Sequence, residues 1–190
     1  AELKLTTIYR DRMGATKKAA KSTMELASAI QAQGVVGDEV TLSGAQQLAT
    51  FAKYPKTVDA LLPAMDNLLV QQHGLNGTTQ DAVGIANMMG KAMQGQTGAL
   101  TRVGITFTDA QAKVLKYGNE QERAATLAKV ITDNVGNMNE EFAKTDAGKI
   151  QQAKNTLGDI GEKLGATLMP AIGSTATRVS ANPLPKIERP

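Results

Sequence analysis

The sequence contains no cysteine and no tryptophan, and aromatic residues make up only 3% of its 190 residues. Without cysteine, neither a disulfide framework nor a thiolate metal site can form, which fits a reducing cytoplasm. Because aromatic side chains are so scarce, a hydrophobic core must be built from Leu, Ile, Val, Ala and Met. The chain has one histidine, His73, so a histidine-based catalytic triad is conceivable only around that residue.

Long hydrophobic runs and dense charge are absent as well. No apolar run approaches the ~20 residues that cross a bilayer, and residues 1–12 lack the apolar segment of a secretory signal peptide. The net charge of +3 is mildly basic, whereas a dedicated nucleic-acid-binding protein usually carries a denser patch. The chain begins with Ala1 rather than Met, so we expect a processed chain or an internal piece of a longer protein.

Signals for helices are abundant. Good helix formers dominate the composition, and residues that favour strands are few. Thr78 with Asp81, and Thr108 with Gln111, have the spacing of capping boxes, in which side chains satisfy the first backbone N–H groups of a helix. Most of the 18 glycines stand where a helical pattern ends. We therefore predict an all-α fold, a compact multi-helix orthogonal bundle of short capped helices that is followed by a long amphipathic, coiled-coil-like helix.

The helical globular domain is expected over residues 15–144. Its third helix has apolar residues at the i, i+3, i+4, i+7 spacing of a buried face. This helix should kink or restart at Pro63 and should end at His73 and Gly74. The predicted helices begin near Ala15, Ser43, Thr57, Thr78, Thr108 and Asn119. The apolar face of the third helix consists of Val58, Leu61, Leu62, Met65, Leu68 and Leu69.

The segments outside this domain have different patterns. Residues 1–14 begin with alternating apolar and other residues, which predicts a basic extended arm or a short strand. Residues 145–180 carry the longest helical stripe, with a kink expected near Pro170. The prolines of residues 181–190 predict an irregular, Pro-rich tail. The stripe consists of Ile150, Leu157, Ile160, Leu164, Leu168, Ile172 and Val179, with Gly158, Gly161 and Gly165 along one flank.

His73 and a glycine–lysine pair are the first candidates for chemistry. His73 stands at the predicted end of a helix, where its charge suits the helix dipole, and this favours a structural role. Gly84, Gly90 and Lys91 superficially resemble a phosphate-binding loop. Their spacing departs from GxxxxGK[ST], and the segment has a helical pattern, so we reject that interpretation.

Acidic residues do not form a recognisable active site either. Glu140 and Glu141, and Asp159 and Glu162, fall on predicted solvent faces of helices, whereas a catalytic carboxylate pair needs a buried environment to shift one pKa. No spacing of acids matches a calcium-binding loop. We predict that the chain has no catalytic, cofactor-binding or metal-binding residues, has no small-molecule substrate and is not an enzyme.

Basic residues and methionines leave alternatives open. The N-terminal region could contact nucleic acid, anionic lipid or an acidic protein, but we favour a solvated face, because aromatic residues for base stacking are lacking beyond Tyr9. The methionines are interpreted as adaptable core residues rather than as a promiscuous binding groove. The basic residues are Lys4, Arg10, Arg12, Lys17, Lys18 and Lys21, and the methionines are Met65, Met88, Met89 and Met93.

Four runs of the sequence resemble one protein family. They lie in one collinear order and together cover roughly residues 24–173. The runs are GVVGDEVTLSGAQQLATF (34–51), LLPAMDNLLVQ (61–71), QDAVGIANMMGKAMQGQTGALTRVGITFTDAQAKVLKYGNEQERAATLAKVITDNVG (80–136) and GKIQQAKNTLGDIGEKLGATLMPAI (148–172). On these residues the chain resembles the tail tape measure proteins, or tail length determinants, of long-tailed bacteriophages and prophages. Because these proteins are usually far longer, the chain is expected to be an internal fragment of one.

The resemblance implies a structural role in phage tail assembly. Proteins of this family occupy the lumen of the growing tail tube, their length sets the length of the tail, and they are released at genome ejection. The implied partners are tail tube and tail assembly proteins. The implied locations are the virion tail and, during assembly, the host cytoplasm. A helix that advances ~1.5 Å per residue is physically suited to act as a ruler.

Two alternatives concern the amphipathic segment 145–180. It could act as a membrane- or envelope-interacting module during genome delivery, although a membrane-surface helix is usually richer in basic residues. It could also associate with copies of itself, or pack on the domain of its own chain.

Overall fold

The computed structural model of the protein describes the backbone of residues 2–180 and the side chains of residues 2–164 and of Ala166. All regular structure in this part of the chain is helical, and no strand occurs in it. The all-α prediction is therefore confirmed. The α-helices are α1 (Glu2–Met13), α2 (Lys17–Gln33), α3 (Asp38–Leu48), α4 (Pro55–His73), α5 (Thr79–Ala92), α6 (Gly98–Arg102), α7 (Asp109–Tyr117), α8 (Glu120–Val135), α9 (Met138–Ala143) and α10 (Asp146–Ser180), and a 3-10 helix at Gly74–Asn76 follows α4.

The chain divides into two compact units, Ala1–Gln152 and Ala153–Pro190. The first unit contains α1 to α9 and the first turns of α10. The second contains the remainder of α10, whose side chains are described as far as Leu164 and at Ala166. The predicted tail at 181–190 and the side chains around Pro170, where a kink is predicted, lie outside the described residues. The coiled-coil character of 145–180 stays a prediction.

Three helices begin with the local capping that their sequences predict. The side chains of Thr78, Thr108 and Asn119 each accept a hydrogen bond from the backbone N–H three residues later. In each case the side chain of that later residue accepts one from the backbone N–H of the capping residue. These reciprocal bonds satisfy N–H groups that have no partner inside the helix. The predicted starts of α5, α7 and α8 are therefore confirmed.

Helix α4 lies at the centre of the bundle and packs against α2, α3, α5, α8 and α9. The apolar face predicted for it is buried along its whole length. Pro63 lies inside α4 on an exposed position, and the helix does not restart there. The helix ends at His73, as predicted, and Gly74 adopts a positive φ of 58° that favours glycine at this position.

The N-terminal segment is a helix, so the prediction of an extended arm or short strand at 1–14 is wrong. In an alternating pattern every second apolar residue is also four positions from another, which is the spacing of one helical face. Leu5 and Tyr9 have this spacing, and both are fully buried. The Tyr9 hydroxyl lies 3.0 Å from Thr23 Oγ1. The Thr23 hydroxyl in turn donates to Asp59 Oδ1 at 2.6 Å. This chain of bonds joins α1 to α2 and α4. Contacts with residues distant in sequence therefore stabilise α1.

One further helix prediction is wrong, and two helices are missing from the predictions. Helix α3 begins at Asp38 rather than near Ser43, and the Ser43 hydroxyl donates to the Glu39 carbonyl inside the helix instead of capping it. The backbone N–H of Asp38 donates to Gln31 Oε1 of α2 at 2.7 Å, so a different helix supplies this cap. The short helices α6 and α9 are not predicted from the sequence.

Candidate functional site

His73 does not have the geometry of a catalytic base. Its Nδ1 lies 3.8 Å from Asp81 Oδ2, and the Thr78 hydroxyl donates to the same carboxylate at 2.7 Å. In a hydrolytic triad the hydroxyl bonds to the imidazole instead. The hydrogen bonds from Thr78, more than the imidazole, hold the pKa of Asp81 below its usual value. His73 and Asp81 thus lie where the end of α4 meets the start of α5, a position at which a structural role accounts for the contacts of His73.

The glycine–lysine candidates are part of a helix, and one of them, Gly90, has a packing role. Gly84, Gly90 and Lys91 all lie within α5, so they form no phosphate-binding loop. A Cβ atom at Gly90 would come within 2.2 Å of the Phe51 ring. Gly90 is therefore needed so that Phe51 can lie directly against the backbone of α5.

The remaining candidates are spread over the surface and the core. Glu140, Glu141 and Glu162 are exposed, and Asp159 is half-buried. Among the methionines, Met65, Met89 and Met93 are buried and Met88 packs against the core, which agrees with the interpretation as core residues. The basic residues Lys4, Arg10, Arg12, Lys17, Lys18 and Lys21 are exposed, and the Arg12 guanidinium donates to the Thr50 carbonyl at 3.0 Å.

Sequence reasoning missed a buried carboxylate that holds the start of α4. Glu120, in the first turn of α8, is only 8% exposed. It accepts hydrogen bonds from the Thr57 hydroxyl at 2.6 Å and from the backbone N–H groups of Lys53 and Tyr54 at 2.8 and 3.3 Å. A carboxylate near a helix N-terminus is stabilised by the helix dipole. Glu120 therefore acts as a cap that one helix supplies to another.

A second buried polar cluster fixes the turn before α3. The Asn139 side chain, on α9, accepts hydrogen bonds from the backbone N–H groups of Val35 and Val36 at 2.7 and 3.1 Å. The backbone N–H of Asn139 in turn donates to Asn67 Oδ1 of α4 at 3.0 Å. Buried amides with this many partners specify one arrangement of the helices. Their role is structural, since each bond ends on the chain itself.

Asp66 is the most unusual ionisable residue in the described part of the chain. Its side chain is fully buried, and Oδ1 has no hydrogen-bond partner. The Thr41 hydroxyl donates to Oδ2 at 2.6 Å and also lies 3.3 Å from the Gly37 carbonyl. Burial raises the pKa of Asp66 to about 7, and the bond from Thr41 opposes this rise. A protonated Asp66 could donate to Thr41 and free its hydroxyl for Gly37, so the neutral form is the better satisfied one.

Two small cavities adjoin these helices. One of about 250 Å³ lies among α1, α3 and α5, and its lining consists mainly of uncharged polar side chains together with Lys4. The other, of about 210 Å³, lies among α2, α4 and α9 beside Asn67 and Asn139. Both are smaller than a typical ligand pocket of about 300–1,000 Å³. Neither lining brings together an acid, a base and a nucleophile.

The α10 seam, defined here as Leu157, Ile160 and Leu164, is the strongest candidate for a functional surface. These three side chains are 67%, 48% and 59% exposed, and they lie on one face of one helix within the second unit. Large exposed apolar side chains at regular spacing usually mark a binding surface. Among the other described residues, Ile150 is exposed near the start of α10, and the exposed apolar side chains Leu3, Tyr54 and Tyr117 belong to three different segments.

Comparison with known proteins identifies no relative. No protein-family model, curated protein or solved structure matches the chain. Among the described residues, no helix is both long and apolar enough to span a bilayer.

Proposed function

We propose that this chain is a phage or prophage tail assembly protein, an internal fragment of the tape measure that sets tail length inside the tail tube and is released at genome ejection. The observation that carries the proposal is the collinear resemblance over roughly residues 24–173. The all-helical fold is consistent with it, because a helix advances ~1.5 Å per residue and can measure distance. As proposed, the protein works through binding surfaces and is not an enzyme.

In this proposal the two parts of the chain have different tasks. The bundle is a folded domain that contacts tail tube or tail assembly proteins. The segment 145–180 is a long amphipathic, coiled-coil-like helix that leads into the ruler. The protein is then located in the host cytoplasm during assembly and in the lumen of the virion tail afterwards.

Tail length gives the most direct test. In the phage or prophage that carries this coding sequence, an in-frame duplication of the 190-residue segment should lengthen the tail by up to about 290 Å, at ~1.5 Å per residue. Electron microscopy of negatively stained particles measures the change. A smaller increase is expected if the bundle stays folded in the tube. Tails of unchanged length and normal yield would contradict the proposal.

The division into a domain and a ruler helix has its own test. A chain that stops after Lys144 should unfold cooperatively and should be monomeric by light scattering coupled to size exclusion. Failure of this truncated chain to unfold cooperatively would count against an independent domain at 15–144. If the full chain is oligomeric and the truncated one monomeric, the segment after Lys144 is an assembly element.

A second candidate function is a helical membrane- or envelope-interacting module that acts during genome delivery. The exposed α10 seam favours it, because apolar side chains on one helical face can enter a lipid interface. Lys154 and Lys163 could add attraction to anionic lipid, whereas Asp159 and Glu162 oppose it. Co-sedimentation with anionic vesicles at low salt is the test, and absence of binding removes this candidate.

A further inference from the structure

The apolar side chains of the α10 seam occupy heptad positions. Leu157 and Leu164 are seven residues apart, and Ile160 lies three after the first. With Leu157 and Leu164 as a positions, Ile160 and Ala153 are d positions, which is the pattern of a helix that packs against another helix. The side chains of Leu157, Ile160 and Leu164 are 67%, 48% and 59% exposed, so this face is open to solvent in the part of the chain whose side chains are described.

The charged residues around the α10 seam are sorted by sign. In the same heptad register Lys154 is an e residue and Lys163 is a g residue, the two positions that border a helix–helix contact. At ~100° per residue, these lysines lie about 85–95° from the centre of the seam, whereas Asp159 and Glu162 lie about 130–170° away. The border of the seam is therefore positive, and both acids lie towards the opposite side of the helix.

This arrangement distinguishes between partners. Two copies of the seam would offer each other no acidic partner for these lysines, since the e and g positions of residues 153–166 are Lys154, Thr156, Gly161 and Lys163. Like charges at these positions disfavour pairing, and opposite charges favour it. An amphipathic helix with an apolar face bordered by Glu or Asp fits the seam in both shape and charge.

We propose that the α10 seam is a docking site for an acidic amphipathic helix of another protein, held by apolar side chains in the seam and oriented by Lys154 and Lys163. The apolar face and both lysines belong to one helix, so this docking site is independent of whether the chain belongs to a phage tail.

The test uses the full chain and two synthetic 21-residue helical peptides as probes. Both peptides carry Leu and Ile at a and d; one has Glu at every e and g position and the other has Lys. Fluorescence anisotropy should show about tenfold or stronger preference for the Glu peptide at low salt. The preference should decrease in 0.5 M NaCl, because salt screens exposed charges.

Three variants show whether the α10 seam is the site. Leu157→Ser should abolish binding of the Glu peptide, whereas Leu3→Ser, at a residue that is 82% exposed on α1, should leave it unchanged. The double variant K154E/K163E should reverse the preference and favour the Lys peptide. Circular dichroism and thermal unfolding check that each variant keeps the fold.

Four outcomes would overturn the proposal. Equal affinity for both peptides would show that Lys154 and Lys163 do not select an acidic partner. No binding of either peptide would show that the seam is not a docking site for such a helix. A concentration-dependent dimer that Leu157→Ser dissociates, without preference for the Glu peptide, assigns the seam to a second copy. Binding to vesicles of phosphatidylcholine and phosphatidylglycerol that Leu157→Ser abolishes, again without peptide preference, assigns it to lipid.

Discussion

Helices α4 and α10 have similar apolar patterns and opposite surroundings. In α4, Leu61, Leu62 and Leu68 are no more than 2% exposed, because five other helices pack against it. In α10, Leu157 and Leu164 are more than half exposed. Periodic apolar residues therefore indicate that a helix has a face to bury, and they do not indicate whether its own chain supplies the partner. Substitutions in the two helices and at the buried polar residues of the bundle distinguish these two situations.

Removal of one leucine from each helix should have very different effects. Leu68→Ala leaves a cavity in the core and should lower the free energy of unfolding by about 4 kcal/mol. Leu157→Ala should change it by no more than about 0.5 kcal/mol, as expected for an exposed side chain. Urea unfolding of both variants, followed by circular dichroism, measures the difference. A large loss for Leu157→Ala would mean that the seam is already covered in the free protein.

Asp66 should make the stability of the bundle depend on pH. Its folded pKa of about 7 lies above the ordinary value of 3.8, so between these values the unfolded chain releases a proton that the folded protein keeps. The contribution of Asp66 to the free energy of unfolding is therefore fully present below about pH 4. It is lost as the pH rises to about 7, which lowers the free energy of unfolding by at most about 4 kcal/mol.

Asp66→Asn should remove this loss, because the amide stays neutral. The difference in unfolding free energy between the original protein and the variant should thus change steadily from pH 4 to 7 and level off above. Glu162→Gln, on the exposed surface of α10, is the matched control. Its free energy of unfolding should vary with pH in the same way as that of the original protein. A difference for Asp66→Asn that does not vary with pH would contradict the assignment.

The buried cap at the start of α4 should matter more than a local one. Glu120→Ala leaves the Thr57 hydroxyl and two backbone N–H groups without their acceptor and should cost about 3 kcal/mol. Glu122→Ala removes one half of the capping box of α8 and should cost about 1 kcal/mol. Glu162→Ala on α10 should be nearly neutral. Thermal unfolding of the three variants gives the order, and equal losses for Glu120 and Glu122 would argue against a cap supplied by another helix.

Glycine-to-alanine substitutions should have opposite signs in the two helices. Gly90→Ala places a Cβ atom 2.2 Å from the Phe51 ring and should destabilise the bundle by about 1–3 kcal/mol. A Cβ atom at Gly158 on α10 would meet nothing within 4 Å. Gly158→Ala should therefore stabilise the helix by up to about 1 kcal/mol. Gly84→Ala, also unobstructed, is the control within α5. Destabilisation by all three would show that loss of glycine itself, rather than contact, is responsible.

Local signals account for what sequence reasoning obtained correctly. The capping boxes at Thr78 and Thr108 each lie within four consecutive residues. The helix starts that they mark can therefore be recognised without any knowledge of the fold. The buried face of α4 is likewise visible as a period of 3.6 residues. In the candidate site, the spacing and the lysine border of the α10 seam can be seen in the sequence, but its exposure cannot.

The errors occur where the stabilising partner is distant in sequence. Helix α1 has no local cap or stop signal that outweighs the alternation of its first residues, and it depends on burial of Tyr9 against Thr23. The start of α3 depends on Gln31 of α2. Short helices such as α9 are held by their neighbours, here through Asn139 and Asn67, since six residues are too few for a helix to form alone.

Local sequence patterns are enough to specify the all-helical class, the starts of α5, α7 and α8, and the apolar faces of α4 and α10, because capping and helical periodicity act over three to seven residues. Tertiary packing made residues 2–13 helical, placed Glu120 as the cap of α4, and buried Asp66 with one oxygen unpaired. It also decided that the face of α4 is covered and the α10 seam is not. These features depend on which helices meet, and that is set by packing among residues far apart in the chain.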